Sequence, residues 1–387
     1  MRKKCLLIYK WPSYFTQFLI NKFSKFYDTE CIYLSDIKNK NFSETVDEIN
    51  KVIESKNIEI VFFDVDFVKL INLFFIKKIK NVKKIIISGD DYTLHEMHSI
   101  TASACDVVLS HCPLSVLKYR EKGYEAFCMP IEGDGDIFKK HDLKKEIDVL
   151  FFGLINPDRK KFLDYIESKG ISIKVFGEHT NFLSVEELPK VISKSKIVLN
   201  LSKSTGKTVI NYRSEDIYKF NYMWKGRLVV SGLCGTLCIS EYTPGLEIIF
   251  EDSEIPTFYT KEECVTILKK LLEDQGLLEK YTEKYCSKIY NLYEDKKNFE
   301  PIKKAIEKPS KNRIKLNKIP YWYLRIAAKQ VLLRNLKLSN FMKSISQFGE
   351  VFKIIENSNL QIKLFIILES IINILWYSIV SIFKSKN

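Results

Sequence analysis

The sequence has no Cys-x-x-Cys pair, and its nine cysteines and 5 histidines fall at no spacing that suits a zinc site. Zinc-ribbon and dithiol-redox classes are thereby excluded. An odd number of scattered cysteines, with Cys234 and Cys238 set in apolar sequence, reads as free buried thiols in a reducing cytosol. A leader core is also missing. The basic start MRKK precedes an apolar run, residues 5–9, which Lys10 ends too early for a signal peptide, so the body is expected to be cytoplasmic. A phosphate loop is absent as well: KSTGKT, from Lys203 to Thr208, lacks the glycine that must stand five residues before its Gly-Lys pair, where Leu201 is found. The pattern argues against a nucleoside triphosphatase, and the segment reads as a surface loop that brings Lys203, Lys207 and Arg213 near a cleft. No internal sequence repeat is visible.

Acidic residues are scarce in one region. Residues 301–387 contain 16 basic and 4 acidic side chains, whereas the other 300 residues contain 45 and 44. The formal charge of +13 therefore belongs almost wholly to a C-terminal module attached to a balanced body. With 46% hydrophobic and 28% charged residues the chain is globular rather than disordered, and 387 residues predict two or three domains.

Short continuous apolar runs alternate with helical segments in the first 140 residues. Strands are expected at 5–9, 31–34, 58–64, 84–88, 107–110 and 125–129, with helices at 43–55 and 113–122. Continuous apolar strands separated by helices predict a parallel sheet covered on both faces. A charged linker, 139–146, leads to a second alternation: strands at 148–152, 172–176, 196–201 and 236–240, and helices at 158–168, 185–193, 260–274 and 277–293. The fold class expected is α/β, with two Rossmann-like domains facing across a cleft, at 1–140 and 141–300, and a basic helical tail at 301–387.

The tail mixes aromatics with basic residues at 321–338 and then runs apolar at 364–383, where Glu369 is the one charge. At about 100° per residue, Lys363, Glu369, Ser370, Asn373, Tyr377, Ser381 and Lys384 fall within an arc of about 120°. A narrow polar stripe on an apolar helix predicts residence in a membrane interface. Its length would also permit a spanning helix, and docking on the protein's own surface is a third option. Nucleic acid ranks last, because no basic and aromatic interleaving spans a folded surface.

Open α/β sheets bind ligands at the carboxyl ends of their strands, which selects the candidate residues. Gly153 ends one strand, and Gly177-Glu178 ends the next, where a nucleobase could pack. The segment KGRLVVSGLCGTLCISEYTPGLE is the richest: Arg227 offers the paired donors that suit a diphosphate, and Gly235, Glu241, Tyr242, Gly245 and Glu247 follow around a short strand. In the first half, Asp90 and Asp91 follow a strand and read equally well as general bases or as a helix cap. His95 and His98 read as helix-surface residues. His111 leaves a strand directly and is the better-placed imidazole.

The order ISGDDYTLHEM, CDVVLSHCPLSVLKYREKGYEAFCMPIEGDGDIF, DVLFFGLINPDRKKFLDYI, IKVFGE, KIVLNLS and GRLVVSGLCGTLCISEYTPGLEIIF resembles the GT-B glycosyltransferases, in particular the spore-maturation (CgeB-like) branch related to glycosyltransferase family four. The most specific part is R-x-F-E-A-x-A-C-G followed by a strand and P-G-x-E. Arg227, Cys234 and Gly235 are in step with it, while Val229 and Val230 stand at the family's Phe and Glu positions.

The resemblance implies sugar transfer from a nucleotide-sugar with retention of configuration, without a bound metal or other cofactor. It places the donor on the second half near Arg227 and Gly153, and the acceptor on the first near Asp90, Asp91 and His111. The family's glutamate binds the donor ribose, a role that Glu241 or Glu247 would take here. Together with the tail, it predicts a glycan or lipid-linked acceptor and peripheral attachment to the inner face of an anionic membrane. A scaffold that keeps the fold without donor chemistry is the alternative.

Overall fold

Eleven strands among the described residues form two parallel sheets, and in each sheet the strand order follows from where the apolar runs lie in the chain. The computed structural model describes all residues except 1, 11, 13, 38–39, 66–70, 130–132, 178–182, 204–221, 294, 311–312, 334–347 and 385–387.

The first lobe contains β1 (Lys4–Tyr9), β2 (Asp28–Tyr33), β3 (Ile60–Asp64), β4 (Lys83–Ser88), β5 (Val107–Ser110) and β6 (Ala126–Cys128), in the order β2-β1-β3-β4-β5-β6. Every neighbouring pair is parallel. Strands such as IVFFD and KKIIIS are apolar at both alternations because both faces are covered. Leu6, Ile8, Val61, Phe63, Ile86 and Val108 point into one core. Cys5, Leu7, Ile60, Phe62, Ile85 and Leu109 point into the other.

The second lobe contains β7 (Ile147–Phe152), β8 (Ile173–Phe176), β9 (Ser195–Asn200), β10 (Leu237–Glu241) and β11 (Thr257–Phe258), in the order β11-β10-β9-β7-β8. Its helices include α6 (Pro157–Ser168), α8 (Arg227–Leu233), α9 (Leu246–Ile249), α10 (Lys261–Glu273) and α11 (Gln275–Tyr293). The starts of α6 and α10 are legible in sequence. Asn156 accepts the Arg159 amide ahead of Pro157, and Thr260 with Glu263 forms a reciprocal capping box.

The chain then returns to the first lobe. Helix α12 (Asp295–Glu307) buries Phe299, Ile302, Ala305 and Ile306 against that lobe's second core. Phe299 stacks on Phe26 at 4.2 Å between ring centroids. The expected boundary at residue 300 thus falls inside a helix that belongs to the first lobe.

The tail continues as α13 (Tyr321–Leu333), α14 (Phe348–Ile355) and α15 (Leu360–Lys384), which pack on the lobe's other core through Leu324, Ala328, Val331, Val351, Ile354 and Ile366. Polar contacts fix the docking. The Tyr323 hydroxyl accepts from the Leu73 amide at 2.8 Å, and Lys78 donates to Glu350 at 2.7 Å. The tail is helical, as expected, but shares a core with the first lobe instead of standing apart. No helix among the described residues is long and apolar enough to cross a membrane.

Candidate functional site

The order of strand addition reverses about β7: the chain runs from β7 outward to β8, then crosses back to β9 on the other side, all strands staying parallel. This switch point opens a crevice at the carboxyl ends of β7 and β9, and the residues there are tied together closely. Gly153, at the end of β7, has φ +127°, and Gly177, at the end of β8, has φ +129°. A Cβ on Gly153 would lie 2.5 Å from Arg227 Nη1. Both positions therefore require glycine, and they leave bare backbone at the strand ends.

Arg227 opens α8 and is 7% exposed. Its Nη1 donates to the Phe152 carbonyl at 2.6 Å, Nη2 to the Leu201 carbonyl at 3.0 Å, and Nε to Asn200 Oδ1 at 3.0 Å. The guanidinium therefore joins β7 to β9 at the floor of the crevice. Among the described residues its contacts are those of a clamp, a role additional to the diphosphate hand expected from the sequence. A helix-start cation turned back under the sheet's carboxyl edge finds carbonyls, which are its natural acceptors.

Arg159, on α6, reinforces the same edge by donating to the carbonyls of Leu154, Leu201 and Lys203. Neither Asn200 nor Arg159 stood out in the sequence. Asn200 had one signal, as the polar end of an apolar strand, whereas Arg159 had none.

Glu241, at the end of β10, is buried and turned inward, where its Oε2 accepts the Lys203 amide at 2.8 Å. Glu247 is exposed and closes its own turn, accepting from the Tyr242 hydroxyl at 3.3 Å and the Gly245 amide at 3.2 Å. Tyr242 stacks on Tyr259 with centroids 4.9 Å apart. Gly245, at φ +99°, backs onto Pro113 and Leu114 of the first lobe, so this turn borders the gap between lobes.

Gly235 requires a correction. It precedes β10 and touches Lys140, while its carbonyl faces Lys145 ahead of β7, so it occupies the amino edge of the sheet, opposite the crevice. In the order helix, glycine, strand, the glycine necessarily falls at the strand's amino end. Glu178, Lys207 and Arg213 lie outside the described residues. Lys203 and Tyr222, at the two ends of the segment that holds the last two, pair as an antiparallel bridge beside the crevice.

On the first lobe, Asp91 begins α4 (Asp91–Ala102) and is 1% exposed. Its carboxylate accepts from Ser110 Oγ at 2.6 Å and the Tyr119 hydroxyl at 3.1 Å, and meets His98 Nδ1 at 2.8 Å. Burial alone would raise its pKa. The His98 hydrogen bond and charge, with His95 and Ser110, outweigh it and hold the carboxyl well below its ordinary range. An anion so fully engaged is a structural hub and a poor base. His98 is buried within this network, also meeting Ser88 Oγ at 2.9 Å, and is not the helix-surface residue expected. The ring nitrogens of His95 are buried too, and burial lowers its pKa to about 4.

Asp90 behaves differently. It is half-buried, its side chain makes no cap bond, and burial raises its pKa against the opposing charges of Lys225 and His98. His111 is 7% exposed and is lowered to about 4, first by burial and then by Lys225, so it is neutral at neutral pH. Lys225, from the second lobe, thus acts on both first-lobe residues, and Tyr92 packs against the second lobe's core. Lys225 lacked a sequence signal because its significance comes from facing the other lobe. Among the described residues, no cluster of three His, Cys, Asp or Glu side chains is placed to hold a metal ion. A small crevice lined by Asn72, His98, Thr101 and Tyr323 lies under α13, away from the lobe boundary.

Residues 159–295 match a family model described as glycosyl transferase-like. No curated protein sequence matches the chain significantly. Among solved structures it is similar to Alr3699/HepE from Anabaena, solved in complex with UDP and glucose, with a TM-score of 0.57 and 11% identity over 79% of this chain and 99% of that one. Sucrose-phosphate synthase from Thermosynechococcus elongatus aligns with a TM-score of 0.50 and 9% identity, over 78% of this chain and 96% of that one. A candidate UDP-N-acetylglucosamine 2-epimerase from Listeria monocytogenes aligns at 0.51 and 11%, over 82% and 100%. At these identities the likeness establishes the fold, which is GT-B.

Proposed function

We propose that the protein is a glycosyltransferase that moves a sugar from a nucleotide-sugar to an acceptor hydroxyl in the crevice between its lobes. The observation that carries the proposal is one of location. The segment matching the glycosyl transferase-like model, residues 159–295, builds most of the lobe whose switch point holds two abutting glycines over a buried cation, with β7 and Gly153 just ahead of it. The HepE structure contains UDP and glucose, which makes a uridine nucleotide the first donor to try.

Bare backbone at Gly153 and Gly177 accommodates the donor's phosphates or base, with Tyr242, Gly245 and Glu247 at the rim. Arg227 from beneath and Lys225 from the lobe boundary supply positive charge where a leaving diphosphate gains negative charge. In the transfer, the bond from the anomeric carbon to the diphosphate oxygen breaks and the acceptor oxygen bonds to the face that the diphosphate leaves, so that configuration is retained. The acceptor proton passes to Asp90, whose raised pKa suits proton exchange. Asp91 acts behind Asp90 as a positioning residue, and neutral His111 orients the acceptor.

Retention of configuration, membership of the CgeB-like branch, a glycan or lipid-linked acceptor and work at the inner face of a membrane belong to the same proposal. The last two rest on the basic, apolar character of residues 301–387.

The test is incubation of purified protein with a panel of nucleotide-sugars, with release of nucleoside diphosphate and product identity followed by mass spectrometry. Asp90→Asn is expected to lower turnover about 100-fold or more with donor binding retained. Equal turnover in that variant removes Asp90 from the chemistry. Release of an epimerised sugar would assign the crevice to epimerase chemistry. Absence of any saturable nucleotide binding would favour the scaffold reading, to which Val230, buried in the second lobe's core at the family's glutamate position, lends support.

A further inference from the structure

Helix α15 is mounted inside out. The described part of the polar stripe read from its sequence faces the protein: Glu369 pairs bidentately with Arg325 of α13, Ser370 is 3% exposed, and Ile366 and Ile374 of the same side are buried. The opposite side is open and, among the described residues, apolar except for Gln361. Leu360, Leu364, Phe365, Leu368 and Ile372 are each more than half exposed, with Ile371 among them and Phe352 of the adjacent α14 also exposed. At about 100° per residue, the α15 members of this set share one side of the helix.

A helix that spends its few polar groups on its own protein and shows hydrocarbon outward gains nothing from water. It needs an apolar occupant. We infer that the outward face of α15 lies in the interface of an anionic membrane.

Charge selects this occupant over a second copy of the chain. With 16 basic and 4 acidic side chains in residues 301–387, a symmetric contact would set two strongly positive tails together, whereas anionic headgroups complement them. Lys363 flanks the face, and Lys353 of α14 is exposed near its start. Lying in the plane is also the mode that remains, since no described helix is long and apolar enough to span. The inference deepens the membrane part of the reading above and stands on the tail's geometry and charge, independently of the transfer chemistry.

The test uses the full-length protein in flotation with phosphatidylcholine vesicles, with and without phosphatidylglycerol. Wild type is expected to float with the anionic vesicles and far less with the neutral ones. The triple variant Leu364→Gln, Phe365→Gln, Leu368→Gln is expected to lose vesicle partitioning about tenfold or more while its unfolding temperature and UDP binding stay unchanged. Nucleotide binding is read separately, so failure of the membrane inference is distinguishable from failure of the donor reading.

Wild type that stays with the unbound fraction, or a folded variant that floats as well as wild type, overturns the inference. A concentration-dependent dimer dispersed by the triple variant, without flotation of wild type, assigns the face to a second copy and likewise overturns it. Should the triple variant fail to fold, the single exposed-site change Phe365→Gln, with Lys363→Glu beside it, decides between the same outcomes.

Discussion

A Cβ on Gly177 would stand 1.9 Å from the carbonyl oxygen of Gly153. The two strand ends are therefore in backbone contact, and the Gly153 amide donates to the Phe176 carbonyl at 3.0 Å just beside it. Nothing with a side chain fits between β7 and β8 at this level. The shape of the crevice floor is set by main chain.

Gly177→Ala is accordingly expected to damage the second lobe. The new methyl meets a backbone oxygen, and φ of +129° is a conformation that alanine rarely adopts. The two effects together are expected to cost about 2 to 4 kcal/mol and to weaken nucleotide binding in the same variant. Chemical denaturation and titration with UDP check both. Unchanged stability would show that the two strand ends separate easily, and the floor would not be rigid.

Arg227 separates two roles that the sequence could not. As the clamp across Phe152, Leu201 and Asn200, its loss strands buried acceptors, so Arg227→Ala is expected to destabilise the protein by about 3 kcal/mol or more. Arg227→Lys should recover little, because a single ammonium on a flexible stem cannot span three acceptors in that fork geometry. If Arg227→Ala instead unfolds like wild type and loses only diphosphate affinity, the residue is a ligand hand after all.

Stability is expected to fall with acidification in two stages. His95 and His111 have pKa values lowered from 6.5 to about 4, so the unfolded chain takes up protons that the folded one refuses, and stability drops as the pH falls across that interval. Asp91 is depressed below the ordinary carboxylate value. Its contribution is full at neutral pH and is lost as the pH falls below about 4 toward its folded value. His111→Gln should flatten the upper stage. Asp91→Asn should lower stability at neutral pH and remove much of the lower stage. Urea midpoints measured across the acid range distinguish the two.

Much of the fold was legible because burial on both faces writes strands as unbroken apolar runs. Nine of the eleven described strands coincide closely with those runs; β2, partly exposed and opening with Asp28-Thr29-Glu30, overlaps its run only at 31–33, and β11, at two residues, is too short to leave one. Helices α1 (Tyr14–Ser24) and α3 (Leu73–Lys78) were not anticipated: YFTQFLINKFS has apolar residues around much of its circumference, and LFFIKK is barely a turn and a half.

The candidate site was legible in part for a related reason. Sequence order shows that a residue adjoins a strand, and the direction of the strand then decides which edge it occupies; Gly153 falls at the carboxyl edge and Gly235 at the amino edge. Lys225, Asn200 and the partners of Asp91 acquire meaning through contacts between segments far apart in the chain, and no local pattern encodes those. The stripe on α15 was readable for the same reason that its orientation was not, since periodicity defines a face without saying what that face meets.

The return of α12 to the first lobe has a mechanical consequence. The lobes are connected twice, once by the segment leading into β7 and once by the passage from α11 to α12, where Tyr293 rests against Phe18 and Lys22 of α1. A single tether would let the halves drift apart in any direction. Two crossings confine any relative movement of the halves to a swing about the line joining them.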